Sequence, residues 1–308
     1  MIQSTYDPCL LHTEKEGLFG VIGMQTDDTL FVGNKAFVKL ENDELNKAQI
    51  LAKPIEMLMK SNTLIFNGRK IHREGTTILL TQKKQGDRIE LIDIKKASFR
   101  EAYIAQRARE AYIATVCQPE AAFDLSVAAQ SQNPSDSDAK ALNKRLKWQM
   151  ENKERGLRFI HIRLESAKLF VFVDASFANN KDYSSQIGFI IVLANEENGG
   201  KETFKFNGNI IHWSSIKCKR ITRSVLASEL YAMVHGFDIG IAIKTTLDKI
   251  LHQLAILQPI SLILCTDSRS LYDCLVKLGT TNEKRLMVDI YVTSAVIREE
   301  GDSRGEVD

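Results

Sequence analysis

Residues 169–174 read Leu169-Phe170-Val171-Phe172-Val173-Asp174. An unbroken apolar run rich in β-branched and aromatic side chains predicts a strand covered on both faces, as in a sheet flanked by helices. The run ends at a carboxylate. A second such run, Ser261-Leu262-Ile263-Leu264-Cys265, is followed closely by Asp267. If the two strands are parallel neighbours, both acids emerge at the same strand ends, where open α/β sheets place their sites.

Between the two runs the pattern predicts strands over Gln186–Leu193 and Thr203–Trp213. A long helix starts near Ser224, in which Leu226, Leu230, Met233, Phe237 and Ile241 line up as one apolar stripe. Glu229 falls three residues after Leu226, at the edge of the face that packs on the sheet. Ser268 suits the cap of a short helix through Leu278, and Asn282 that of a helix to about Glu299. The order β-β-β-α-β-α-α describes an α/β domain.

Asp174, Glu229 and Asp267 are thus candidates for one acidic centre. Each alone is ordinary turn, cap or helix-surface chemistry. Three converging carboxylates bind hard divalent cations, and magnesium suits them because it takes few protein carboxylates and keeps other oxygen ligands. Two such ions about 4 Å apart activate a water and stabilise the leaving oxygen of a phosphodiester. Lys217, Lys219, Arg220 and Arg223 follow Trp213 closely and are candidates for gripping phosphates.

Upstream, Gly17–Met24 and Thr29–Val32 read as a hairpin around Thr26-Asp27-Asp28. A helical pattern runs from about Glu41 to Lys60, interrupted by Pro54. Short strands are expected at Leu64–Phe66, Thr77–Thr81 and Arg88–Ile92. Helices are expected over about Ser98–Gln130 and Ala139–Arg155, the latter ending at Gly156. The polar, turn-rich stretch 131–138 between them reads as a linker.

Composition excludes several classes. With 41 basic and 39 acidic residues the net charge is +2, so any basic surface is local. The longest uncharged stretch of the second half, about Ile250 to Asp267, contains His252, Gln253 and Pro259. It falls short of the roughly 20 apolar residues of a membrane span. Met1-Ile2-Gln3-Ser4 has no basic start or apolar segment of a secretory signal, so an intracellular protein of cytoplasm or nucleus is expected. Five scattered cysteines form no C-x-x-C pair, which argues against zinc ribbons and for a reducing compartment.

The segments Phe172-Val173-Asp174-Ala175-Ser176-Phe177-Ala178, Ala227-Ser228-Glu229-Leu230-Tyr231-Ala232 and Cys265-Thr266-Asp267-Ser268 resemble the ribonuclease H domain of copia-type retrotransposon polyproteins, in a form similar to fungal elements. Trp213-Ser214-Ser215-Ile216-Lys217 fits the segment before that family's helix. Gly23-Met24-Gln25-Thr26-Asp27-Asp28-Thr29-Leu30 resembles the reverse transcriptase hairpin with its paired aspartates. Phe66-Asn67-Gly68 and Leu80-Thr81-Gln82 resemble the segment downstream of it. Ala111-Tyr112-Ile113-Ala114 through Cys117-Gln118-Pro119-Glu120 resembles the connection to ribonuclease H. The resemblance spans about residues 1–290.

The resemblance implies a mixed α/β and α+β fold. Residues 1–97 would be a partial reverse transcriptase palm, 98–163 a helical connection, and 164–308 a ribonuclease H-like mixed sheet with flanking helices. It implies Asp174, Glu229 and Asp267 as metal ligands for two Mg²⁺ ions, with Asp174 bridging, and Asp27 and Asp28 as the polymerase aspartates. The implied partner is an RNA–DNA hybrid, held in part by Trp213 and the four basic residues, with no small-molecule cofactor and no membrane. The ancestral activities would be RNA-directed DNA synthesis and hybrid cleavage.

The same comparison implies missing parts. Only 26 residues precede Asp27, and their one aspartate, Asp7, fits the run just before the hairpin. The fingers, half the palm and a further palm aspartate are then expected to be absent, and with them DNA synthesis. After Ile290 the family would continue into a strand and a helix bearing a fourth carboxylate. Here Arg298-Glu299-Glu300-Gly301-Asp302-Ser303-Arg304-Gly305 stands instead, and Asp289 lies in the preceding helix. The alternatives are a non-catalytic nucleic-acid-binding remnant, a relic without a role, or strand transfer of the integrase kind, which shares the fold class but is here without a His/Cys zinc cluster.

Overall fold

A computed structural model of the chain describes residues 1–197, 204–276 and Leu286. The helix expected from Asn282 to about Glu299, Asp289, and the end of the domain after Ile290 lie outside the described residues. Within them the chain is a mixed α/β protein with three four-stranded sheets and six α-helices.

The first sheet has the order β1 (Ile2–Gln3), β2 (Leu10–His12), β3 (Gly20–Gln25), β4 (Asp28–Gly33), all antiparallel. The expected hairpin forms, with Gln25 paired to Asp28 and Thr26 turned to a φ of 50°. Helix α1 covers Lys35–Lys47, earlier than the expected 41–60. Asn34 starts it by accepting the Phe37 N–H at 2.9 Å. It stops where Gln49 adopts a φ of 55°, with the Gln49 and Ile50 N–H groups closing on the carbonyls of Asn46 and Leu45.

The second sheet joins β5 (Thr63–Phe66), β6 (Arg69–Glu74) and β7 (Thr77–Gln82) to β8 (Leu157–Phe159). The strand expected at Arg88–Ile92 does not form. Side chains hold that backbone instead: Gln106 Oε1 accepts from Glu90 N–H at 3.2 Å and Asn143 Oδ1 from Ile92 N–H at 2.7 Å. The long helix expected to Gln130 is broken at Cys117-Gln118-Pro119 into α2 (Phe99–Val116) and α3 (Ala122–Ala128), because Pro119 cannot continue the hydrogen-bond ladder. Helix α4 covers Asp136–Glu151, opened by a reciprocal cap between Ser135 and Asp138.

The third sheet is built from β9 (Lys168–Ser176), β10 (Gln186–Glu197), β11 (Lys205–Lys217) and β12 (Ser261–Cys265), in the order β11-β10-β9-β12. Strands β9, β10 and β11 are antiparallel, and β12 runs parallel to β9. Helix α5 (Val225–His252) crosses one face, and α6 (Arg269–Val276) follows β12. The largest core lies between this sheet and α5, with Leu169, Val171, Ile191, Leu230 and Met233 almost wholly buried. Small residues set the distance: a Cβ on Gly236 would meet Val173 Cγ1 at 2.9 Å, and one on Gly240 would meet Val171 Cγ2 at 3.0 Å.

Helix α5 is also long and apolar enough to cross a membrane by length and composition, yet 56% of its most apolar window is buried inside the protein. Its apolarity is spent on the sheet. The N-terminal sheet docks on the same unit. Ser4 Oγ lies 2.8 Å from Thr246 Oγ1, the Thr13 hydroxyl donates to Gln253 Oε1 at 2.5 Å, and Tyr6 OH meets His212 Nδ1 at 3.1 Å.

Candidate metal centre

The parallel pairing of β12 with β9 sets Cys265 level with Phe172. Carried two residues on, that register brings Asp267 level with Asp174. Thr266 Oγ1 accepts the Ser268 N–H at 3.1 Å and Ser268 Oγ accepts the Leu271 N–H at 3.4 Å, so the turn after Asp267 is locally fixed.

Helix α5 supplies the third acid. Its Gly240 lies against Val171 and Leu262 and its Gly236 against Val171 and Val173, so earlier turns lie further toward the end of β9. Ser224 caps the helix by accepting the Ala227 N–H at 3.2 Å. Glu229, two residues later, reaches the strand end, where the nearby backbone N–H of Ala175 favours its charged form.

Oxygen atoms of Asp174, Glu229 and Asp267 all lie within 4.8 Å of one another. The two aspartates are exposed and Glu229 is 5% exposed. Its Oε2 has no hydrogen-bond partner. Burial, then the negative charges of Asp174 and Asp267, push the Glu229 carboxyl up to about 7. Among the described residues this is the one group of three or more acidic, His or Cys side chains placed to hold a metal. A buried carboxylate oxygen without a donor, beside two further carboxylates, is the donor set that a hard divalent cation fits.

The basic residues divide. Lys217 is the last residue of β11 and pairs with Asp182. Lys217 and Ser184 hold the Asp182 carboxyl well below the usual carboxylate range. The Arg220 guanidinium sits 4.9 Å from the centre of the Tyr231 ring. Lys219 and Arg223 are exposed. Trp213 turns inward, its indole N–H donating to the Ala114 carbonyl at 3.1 Å, which ties β11 to the end of α2. Asp27 and Asp28 sit exposed at the hairpin turn, with Lys53 at 4.0 Å from Asp28.

Sequence reading missed one buried acid. Glu110, on α2, is fully buried with neither carboxylate oxygen hydrogen-bonded. Burial pushes it up to about 8, opposed only by Arg109. The signal available was its spacing from Tyr103, Gln106 and Ile113 on the buried side of α2.

No protein-family model matches the chain, and a search of curated proteins returns no match.

Proposed function

We propose that this chain carries the ribonuclease H-like part of a copia-type retrotransposon polyprotein, together with a piece of its reverse transcriptase and connection, and that its acidic centre cleaves the RNA strand of RNA–DNA hybrids with magnesium. The observation that carries the reading is the meeting of Asp174, Glu229 and Asp267 within 4.8 Å at the ends of two parallel strands. That placement agrees with the resemblance of the three segments bearing these residues.

Asp174, Glu229 and Asp267 would hold Mg²⁺, which when bound supplies Lewis-acid stabilisation of charge on the phosphate. Glu229 is held for this by its burial on the face of α5 that packs on the sheet. Lys219 and Arg223, exposed beyond β11, would draw the phosphate backbone toward a centre whose own charge repels it. Polymerisation is not part of the proposal. Among the described residues Asp27 and Asp28 gather no third acidic group.

A second reading is a nucleic-acid-binding protein without cleavage, supported by the exposed Lys219 and Arg223, which would hold phosphates whether or not the centre takes up a metal. One assay separates the two. A labelled RNA–DNA hybrid is incubated with magnesium and the wild-type chain, Glu229→Gln or Asp174→Asn. Cleavage by wild type alone supports the nuclease. Hybrid binding without cleavage in all three supports the second reading.

A further inference from the structure

The loop joining β9 to β10 carries a feature that the acidic centre leaves unexplained. Residues 177–185 are pinned along their length. The Tyr183 N–H donates to the Asn180 carbonyl at 2.9 Å, and the Asn180 N–H to the Ser184 carbonyl at 3.1 Å. The Ala178 N–H donates to Ser185 Oγ at 3.1 Å, and Ser184 Oγ to Asp182 Oδ1 at 2.6 Å. This fixed loop holds the Tyr183 ring in water, 82% exposed, on a backbone φ of 59°. A left-handed φ disfavours an aromatic residue, and an exposed ring returns no burial energy. The hydrogen-bonded turn from Asn180 accounts for this φ, as turn geometry does at Thr26; what sets Tyr183 apart is a large ring left in water on a conformation that costs it energy.

The loop is also tied to the basic segment after β11. Lys217 pairs with Asp182, Ser185 Oγ lies 2.6 Å from Thr222 Oγ1, and the Cys218 N–H donates to the Ser185 carbonyl at 2.8 Å. That segment exposes Lys219 and Arg223 and, between them, Ile221 at 81%. Gln186 is paired to both Ser176 and Lys217, so the rim crosses three strand ends just beyond Asp174. Flat or apolar groups alternate with cations along it. A polyanion with ring faces matches both properties, and exposed cations beside an acidic centre offset its repulsion of phosphates.

Resting on the nuclease reading above, we propose that Tyr183 is a positioning residue that stacks on a base or sugar of the hybrid, whose phosphates run over Lys219 and Arg223. The test is fluorescence anisotropy of a labelled RNA–DNA hybrid and of a labelled single-stranded RNA, in calcium. The full-length chain is compared with Tyr183→Phe, Tyr183→Ala and Tyr183→Gly, each with its Tm. Tyr183→Phe retains hybrid affinity, whereas the Ala and Gly variants lose about tenfold. The Gly variant keeps or raises its Tm, because glycine accepts the φ of 59° without strain. Unchanged hybrid affinity in the Ala and Gly variants overturns the proposal while leaving the nuclease reading intact. Losses that merely follow a fall in Tm overturn it as well. A wild-type chain that binds neither nucleic acid overturns both.

Discussion

Asp174 and Glu229 bring their carboxylates within 4.8 Å of each other, and the charges that act on Glu229 are the negative ones of Asp174 and Asp267. Such an arrangement opposes folding unless a cation joins it, the usual trade of stability for function at a site. Asp174→Asn should therefore raise the Tm of the metal-free protein, by a gain on the order of 1 kcal/mol or about 2–4 °C. The same change should abolish the further rise that magnesium or manganese gives the wild type. Differential scanning fluorimetry with and without the divalent ion reads both. A lower metal-free Tm together with an intact metal response contradicts the shared centre.

The approach of α5 to β9 carries the next prediction. At Gly236 a methyl group would stand 2.9 Å from Val173 Cγ1 and 3.0 Å from Val171 Cγ1. Gly236→Ala gains helix propensity of about 1 kcal/mol but overpacks the sheet by about 1–3 kcal/mol. The expected net result is a modest fall in stability and a weaker divalent-ion response, because the helix that carries Glu229 is pushed off the strand that carries Asp174. Denaturant unfolding and metal titration of this variant check the pair of effects. Gly240→Ala, one turn further from the centre, should destabilise without weakening the metal response to the same extent.

The buried face of α2 carries a pH-sensitive carboxyl group. Glu110 titrates near 4.5 when unfolded and is pushed up to about 8 in the fold. Between these values the native state holds more protons than the unfolded state, so stability falls as pH rises. It is highest below the unfolded value and reaches its floor above the folded one. The cost at pH 9 relative to pH 4 is on the order of a few kcal/mol from this one group. Glu110→Gln should flatten that dependence and raise the Tm at pH 8–9 more than at pH 5. Equal shifts at both pH values remove Glu110 as the cause.

The parts of the fold that were legible in the sequence are those where one local pattern dominates. Leu169–Val173 and Ser261–Cys265 read as strands from their unbroken apolar runs; the first is largely buried in the middle of its sheet, whereas the second lies last in the strand order and buries only Leu262. The stripe Leu226, Leu230, Met233, Phe237 and Ile241 identified α5, and its edge identified Glu229. Elsewhere tertiary contacts overrode the pattern. Leu51, Ile55, Met57 and Met59 mimic a helical stripe but lie exposed beyond the left-handed stop at Gln49. Strand β6 has Ile71 as its one apolar residue and is recognisable only through its partners β5 and β7. Strand β8 returns to β7 from far along the chain, a pairing that no local window contains. Tyr183 was invisible because its meaning lies in backbone strain and exposure, not in residue type.

Trp213 separates a structural from a ligand-contacting role in the segment that resembles the family's approach to its helix. The Ala114 carbonyl lies in the last turn of α2, where helix carbonyls lack an intrahelical donor, and the Trp213 indole N–H supplies one at 3.1 Å. Trp213→Phe keeps a ring but removes that donor, leaving a buried carbonyl unpaired at a cost of about 1–3 kcal/mol. A lower Tm with unchanged hybrid affinity per folded molecule is expected, since the ring points between β11 and α2 rather than along the rim of Lys219, Ile221 and Arg223. Loss of affinity at unchanged Tm would return Trp213 to the nucleic-acid surface. Comparing Trp213→Phe with Arg223→Ala, an exposed residue whose loss should weaken hybrid binding and reduce its salt dependence while sparing Tm, sets the two behaviours side by side.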